Sequence, residues 1–254
     1  MMKITILEFA PCADTIYHMR RDAEEGYIEG DASTVTIRTG AKLRPVVASV
    51  YAGGKATNVA RVIDRLLRDD DAVEINLVVF RPDSPEGRYI HDLQTSALTR
   101  VRVKPVIIPA AARFCIDLTD PSTDRDARVE FNISPRAHWD EEALDIAMTS
   151  AREVSTDLLL IAGNPPVVGS GRRMAADLYT KIIEQVRGRV RIISVDTEKQ
   201  ALAECLSSPL QPDVIKINRQ EHASVRGELW RDFAGTLIVT DAAGCRASER
   251  FGEE

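Results

Sequence analysis

Short apolar runs alternate with segments of helical period along much of the chain, most regularly in its second half. Residues 157–162 (DLLLIA) and 190–195 (VRIISV) read as strands, followed by 213–217 and 236–240. Between the first two, residues 174–187 place Ala175, Leu178, Tyr179, Ile182 and Val186 at three- and four-residue spacing, which predicts one apolar face of a helix. Residues 198–206 repeat the pattern in shorter form. Continuous apolar strands separated by crossover helices predict a parallel sheet covered on both faces, and such a sheet takes ligands at the carboxyl ends of its strands.

The first half opens with a strand at 3–7. A long polar stretch at 20–44 contains Ser33-Thr34-Val35-Thr36-Ile37, whose alternation predicts a half-buried strand. Residues 46–51 and 73–80 read as strands on either side of a helix at 57–68, where Val59, Val62, Ile63, Leu66 and Leu67 form an apolar stripe that predicts the core-facing side. Residues 113–118 and 128–131 flank Asp120-Pro121-Ser122-Thr123-Asp124, a turn signal that makes them a hairpin. Antiparallel pieces beside a mostly parallel sheet predict a small flap on the main body. Asp69-Asp70-Asp71 reads as a solvated loop after the helix.

Composition narrows what such a fold does. Hydrophobic residues at 44% and charged residues at 28% are ordinary globular values, and 254 residues suffice for one large domain with a packed core. The formal net charge of -6 supplies no summed positive field for a phosphate backbone or an acidic membrane surface, so nucleic acid is not an expected partner. No apolar run approaches the roughly 18 residues of a membrane span, and Met-Met-Lys-Ile-Thr-Ile reads as a strand start rather than a signal peptide, so the expected location is the cytoplasm, away from membranes. Cys12, Cys115, Cys205 and Cys245 lie far apart with no Cys-x-x-Cys, which predicts reduced thiols rather than zinc. His18, His91, His138 and His222 are equally scattered.

Three segments could carry chemistry. Gly53-Gly54-Lys55-Ala56-Thr57-Asn58 precedes the helix at 57–68. Its glycines let backbone approach a ligand, the helix start offers free N–H groups, and Lys55 adds a mobile cation; the alternative is a strand-to-helix turn that merely uses glycine. It matches neither the P-loop nor the dinucleotide fingerprint. Ala10-Pro11-Cys12-Ala13-Asp14 follows the first strand, where Asp14 is either an acceptor for sugar hydroxyls or a turn aspartate. Lys216-Ile217-Asn218-Arg219-Gln220-Glu221 ends a strand with groups that suit phosphate oxygens and hydrated magnesium, or that simply begin a helix with an acidic first turn.

Taken together, these segments resemble the ribokinase-like carbohydrate kinases, specifically the phosphofructokinase B branch that includes 1-phosphofructokinase and tagatose-6-phosphate kinase. Pro11-Cys12-Ala13-Asp14 is similar to the family's Asn-Pro-Ala-x-Asp, and Gly53-Gly54-Lys55-Ala56-Thr57-Asn58-Val59-Ala60-Arg61 to Gly-Gly-Lys-Gly-x-Asn-Val-Ala-Arg. Arg113-Phe114-Cys115-Ile116 resembles the Thr-Arg strand, Val129 to Pro135 resembles Thr-Glu-Ile-Asn-x-Pro-Gly-Pro, and Ile161-Ala162-Gly163-Asn164-Pro165-Pro166 resembles Ser-Gly-Ser-Leu-Pro-Pro. Val195-Asp196-Thr197 is similar to the Leu-Asp-Thr strand end, and Ile215 to Glu221 to Ile-Lys-Pro-Asn-x-x-Glu. The motifs are collinear over nearly the whole chain.

The resemblance implies a single domain over 1–254: a three-layer α/β/α body with a mostly parallel central sheet, and a small β flap, or lid, from segments at about 15–50 and 110–132. It implies ATP- and magnesium-dependent phosphorylation of fructose 1-phosphate, fructose 6-phosphate or tagatose 6-phosphate. Asp14 and Asn58 would hold sugar hydroxyls beside Gly53 and Gly54, while Lys55 and Arg113 would neutralise the phosphate already on the sugar. Lys216, Asn218, Thr240 and Gly244 would meet the nucleotide, and Glu221 would organise magnesium through water. Phosphoryl transfer depends mainly on positioning and charge stabilisation, which is what this set supplies. Family members often dimerise through the flap, so a homodimer is implied as well.

One segment departs. The family's Gly-Ala-Gly-Asp loop, source of the aspartate base, has no counterpart among these residues; Thr240-Asp241-Ala242-Ala243-Gly244 resembles the preceding turn near the nucleotide, and Gly169-Ser170-Gly171-Arg172 lies on the wrong strand. A base is worth roughly 10² to 10⁴ in rate, so a chain ending at Glu254 is expected to be a poor kinase and to have lost its last segment. The alternative expectation is a sugar-phosphate-binding protein or regulatory subunit without turnover.

Overall fold

The computed structural model describes residues 1–19, 45–68, 72–119, 128–132, 138–168, 173–225, 227–241 and 244–248. The expected strand at 33–37, the loop at 69–71, the turn at 120–124 and the loop at 169–172 fall outside them. In chain order the elements begin with β1 (Met2–Glu8), β2 (Cys12–Met19), β3 (Pro45–Gly53), α1 (Lys55–Leu66), β4 (Val73–Pro82), α2 (Pro85–Ala97), β5 (Arg102–Ile108), β6 (Arg113–Thr119) and β7 (Arg128–Asn132). They continue with β8 (His138–Trp139), α3 (Glu141–Arg152), β9 (Thr156–Ala162), β10 (Val167–Val168), β11 (Arg173–Met174), α4 (Leu178–Val186), β12 (Val190–Asp196) and α5 (Lys199–Ser207). Last come β13 (Val214–Asn218), α6 (Arg219–Ala223), α7 (Gly227–Arg231), β14 (Thr236–Asp241) and β15 (Gly244–Ser248).

The apolar runs of the second half pair as expected. The central sheet has eight strands in the order β15-β14-β13-β12-β9-β1-β4-β5, parallel throughout except for the antiparallel β14–β15 hairpin at its edge. Side chains alternate across it, so each strand feeds two cores. Leu7, Leu159, Ile161, Ile193 and Val195 pack with α3 and α4, where Phe9 stacks on Phe80 and meets Trp139 and Tyr179 at a tilt. Ile4, Ile6, Ile75, Leu77 and Val79 pack on α1 from the other face. Leu202 and Leu206 of α5 join Ile215, Ile217 and Leu237 in a third cluster with Trp230 and Phe233. This is the three-layer, mostly parallel α/β/α architecture expected from the sequence. No described helix is long and apolar enough to cross a membrane.

A second sheet, in the order β3-β2-β6-β7, stands apart from the main one. β2 pairs parallel to β6, and β3 and β7 flank them antiparallel, so the hairpin expected around 113–131 is the β6–β7 pair.

The stripe on α1 is a correction. Val62 and Leu66 are 56% and 72% exposed, whereas Ala56, Thr57, Ala60 and Asp64 are buried, with Ile63 and Leu67 beside them. Small residues let the helix lie close to the sheet. Asp64 tolerates burial because it accepts hydrogen bonds from the backbone N–H groups of Thr99 (3.0 Å), Arg100 (2.6 Å) and Val101 (2.9 Å). A polar residue anchoring a loop thus turns the helix away from its most apolar side.

Candidate functional site

Strands β12 and β13 end beside one another, and the first residue of α1 reaches the same place. Lys55 Nζ donates to Asp196 Oδ1 at 2.8 Å and to Glu221 Oε1 at 3.1 Å. Lys216 Nζ donates to the other oxygen of Asp196, also at 2.8 Å. Asp196 and Glu221 are 8% and 9% exposed at their side chains, against 41% for each lysine, so two buried carboxylates form a floor from which two ammonium groups face outward. Burial pulls the Lys55 pKa down, but the charges of Asp196 and Glu221 outweigh it and hold the group above its ordinary value.

Glu221 is held from its own helix as well. Asn218 N–H donates to Glu221 Oε2 at 2.7 Å while Glu221 N–H donates to Asn218 Oδ1 at 2.8 Å, a reciprocal cap at the start of α6. Thr240 Oγ1 donates to the Ile217 carbonyl at 3.3 Å, and Gly244 pairs with Asp241 in the edge hairpin.

The residues on the flap form a separate group. Asp14 lies within β2, a strand where the turn-aspartate alternative required a turn, and it is half-buried. Cys12 Sγ donates to its Oδ1 at 3.2 Å, and Gly53 packs so tightly against it that a Cβ there would collide with the carboxylate. Arg113 begins β6, opposite Cys12 in register, and its Nη1 donates to the Ala10 carbonyl at 3.0 Å. Asn58 is exposed in the first turn of α1. Hydrogen bonding with Cys115, then burial, then the neighbouring Asp14 charge push the Cys12 thiol well above its usual range.

Lys55 therefore joins the residues expected to meet the nucleotide, and Arg113 stays with Asp14 on the flap. Gly54 bridges the two groups. It caps α1 at φ 107°, in the region that favours glycine, and a Cβ there would fall on the carboxylate of Glu8. Glu8, at the end of β1, is 1% exposed and accepts from Thr57 N–H at 2.9 Å, Thr57 Oγ1 at 3.2 Å and Ala10 N–H at 3.2 Å. Burial raises its pKa to about 7 despite these bonds and the charge of Arg113. Neither Glu8 nor Asp196 stood out in the sequence as a site residue. The signal available was a carboxylate as the last residue of an apolar strand, which describes both.

The arrangement is a doubly covered parallel sheet with charged strand ends, beside a small separate sheet. Among solved structures, the chain is similar to phosphofructokinase-2 from Escherichia coli in complex with fructose-6-phosphate, with a TM-score of 0.70 at 18% identity over 98% of this chain and 80% of that one. A possible 1-phosphofructokinase from Thermotoga maritima matches with a TM-score of 0.71 at 14% identity, covering 98% of this chain and 75% of that one. A nucleoside kinase of the ribokinase family from Methanocaldococcus jannaschii matches with a TM-score of 0.55 at 16% identity, covering 98% and 74%. No protein-family model and no curated protein sequence matches the chain. The fold is thus the ribokinase-like one.

Proposed function

We propose that the protein is a sugar-phosphate kinase of the phosphofructokinase type, binding its sugar between flap and body and ATP with magnesium over the ends of β13 and β14. The observation that carries this reading is the Lys55–Asp196–Lys216–Glu221 cluster, which presents two cations at the carboxyl ends of parallel strands in a fold shared with phosphofructokinases. Asp14 and Asn58 take sugar hydroxyls, with Gly53 and Gly54 allowing close backbone approach. Arg113 faces the phosphate already on the sugar. Lys216, Asn218, Thr240 and Gly244 meet the nucleotide, and Lys55 lies between the two ligands.

The donor set suits magnesium, a hard cation that takes oxygen and keeps several waters. Both oxygens of Asp196 and of Glu221 already accept from Lys55, Lys216 or the Asn218 backbone, so these carboxylates would hold the ion through water. Bound there, magnesium would supply charge neutralisation for the nucleotide phosphates. Exposed Val50, Tyr51 and Phe131 leave apolar surface on the flap, which supports a homodimer formed through it.

A second reading, which the same experiment separates from the first, is that the protein binds sugar phosphate with little or no turnover. Calorimetry with fructose 6-phosphate, fructose 1-phosphate and tagatose 6-phosphate, beside a coupled assay with ATP and magnesium, tests both. Binding of one sugar phosphate is expected under both readings. Failure to bind any of the three would overturn the site. Turnover above about 1 s⁻¹ would overturn the second reading.

A further inference from the structure

We infer that the flap carries a binding site for a thiophilic divalent cation of the zinc class, formed by Cys12, Cys115 and the carboxylate of Asp14, and that an ion held there excludes the sugar. Far apart in sequence, the two cysteines meet because β2 and β6 pair in parallel with Cys12 opposite Arg113 and Asp14 opposite Cys115. Alternation then puts Cys12, Asp14 and Cys115 on one face of the flap sheet. One ligand atom from each lies within 4.8 Å of the other two, and Cys12 Sγ is 3.2 Å from Asp14 Oδ1. Tetrahedral zinc, with bonds of about 2.3 Å to sulfur and about 2.1 Å to oxygen, needs sulfurs about 3.8 Å apart and sulfur and oxygen about 3.6 Å apart. Shifts of about 1 Å or less bring these side chains into that geometry.

The chemistry of the surroundings agrees. Cys12 and Cys115 are 4% and 7% exposed, so the two soft donors sit in a wall from which water is largely excluded. Half-buried Asp14 opens the site toward the proposed sugar pocket, which leaves the fourth position for water or ligand. Two thiolates and a carboxylate around a doubly charged cation leave one excess negative charge, and the Arg113 strand position beside Cys12 puts a cation next to it. On binding, each thiol gives its proton to solvent as its sulfur bonds the metal, and no electrons are transferred. Because Asp14 would serve both ligands, metal and sugar phosphate compete. The competition rests on the proposed sugar site; the metal site does not.

Cobalt titration of the full chain tests this. A thiolate-to-cobalt charge-transfer band is expected at one ion per chain, displaced by zinc. Cys12→Ser or Cys115→Ser should weaken cobalt binding by about 100-fold or more and Asp14→Asn by about 10-fold, taking the loss of a ligand to cost at least as much as the loss of a supporting group. Cys205→Ser and Cys245→Ser should leave it unchanged. Cadmium NMR on the wild-type protein reports the number of sulfur donors without any substitution, and two are expected. No band, a band that survives both Cys12→Ser and Cys115→Ser, or a cadmium ion with fewer than two sulfurs would overturn the metal site. Fructose 6-phosphate should weaken cobalt binding in proportion to its own occupancy. Sugar-phosphate binding with no cobalt band rejects the metal site alone, and a cobalt band in a protein that binds no sugar phosphate supports the metal site while rejecting the sugar reading.

Discussion

Glu8 and Asp14 stand against adjacent glycines, Gly54 and Gly53, and the protein treats them in opposite ways. Glu8 belongs to the central sheet: it is buried, bonded to Thr57 and Ala10, and raised to about 7. Asp14 belongs to the flap, is half-buried, and is held by strand register and by one thiol. The same division separates Lys55 and Lys216, paired with buried carboxylates, from Arg113, which leans on a backbone carbonyl. In the body the charged groups of the site are paired with one another, whereas on the flap Asp14 is half-buried and accepts from a thiol. Substitutions in the body should therefore register first in stability, and those on the flap first in binding.

Gly54→Ala should have the largest effect. The new Cβ meets two obstacles at once, a φ of 107° that side chains rarely adopt and the buried carboxylate of Glu8. Backbone strain and overpacking each cost roughly 1–3 kcal/mol, so a combined loss of about 3 kcal/mol or more is expected in urea denaturation. A loss below about 1 kcal/mol would mean that the turn gives way and that the body is not as rigid as its bonds suggest.

Glu8→Gln probes the same contact through pH. The Glu8 pKa rises from 4.5 to about 7 on folding, so its contribution to stability is fully present below about pH 4.5 and is lost as pH climbs through 7. At about 1.4 kcal/mol per unit, wild type should lose about 3 kcal/mol relative to Glu8→Gln across that window. Denaturation midpoints measured from pH 4.5 to 8 check this, and parallel profiles for the two proteins would show that Glu8 does not titrate there.

The parallel sheet was legible because its apolar runs are continuous and its crossover helices keep period, as in 157–162 and the helix carrying Leu178, Tyr179, Ile182 and Val186. The face of α1 was not, because an apolar count cannot know that Asp64 will be buried under three backbone N–H groups. Two further helices carried start signals that apolar period alone passed over. Ser84 caps α2 by accepting from Gly87 N–H, with Pro85 just inside, and Asp140 caps α3 by accepting from Ala143 N–H. For the site, the strand-end residues Lys216, Asn218 and Glu221 were visible as a local string, because one strand and one helix start carry all of them. The link from Lys55 through Asp196 to Lys216 and the meeting of Cys12 with Cys115 depend on which strands become neighbours. Strand order and register are tertiary facts that no single segment encodes.

Gly53→Ala should have the smallest effect on stability and is the sharpest test of the division. Its backbone is outside the left-handed region, and the carboxylate its Cβ would meet is the end of the half-buried Asp14 side chain rather than a fully buried group. Stability should fall by less than about 1 kcal/mol. In the proposed sugar site the displaced carboxylate could no longer accept from a hydroxyl, and hydrogen bonds to charged groups are worth about 1.5–3 kcal/mol, so fructose 6-phosphate binding should weaken by about 10- to 100-fold while ATP binding is unchanged. Calorimetry with each ligand, beside urea denaturation, separates the two quantities. A stability loss matching that of Gly54→Ala, with sugar binding intact, would mean that Asp14 is held as firmly as Glu8 and that the flap, like the body, is built for stability first.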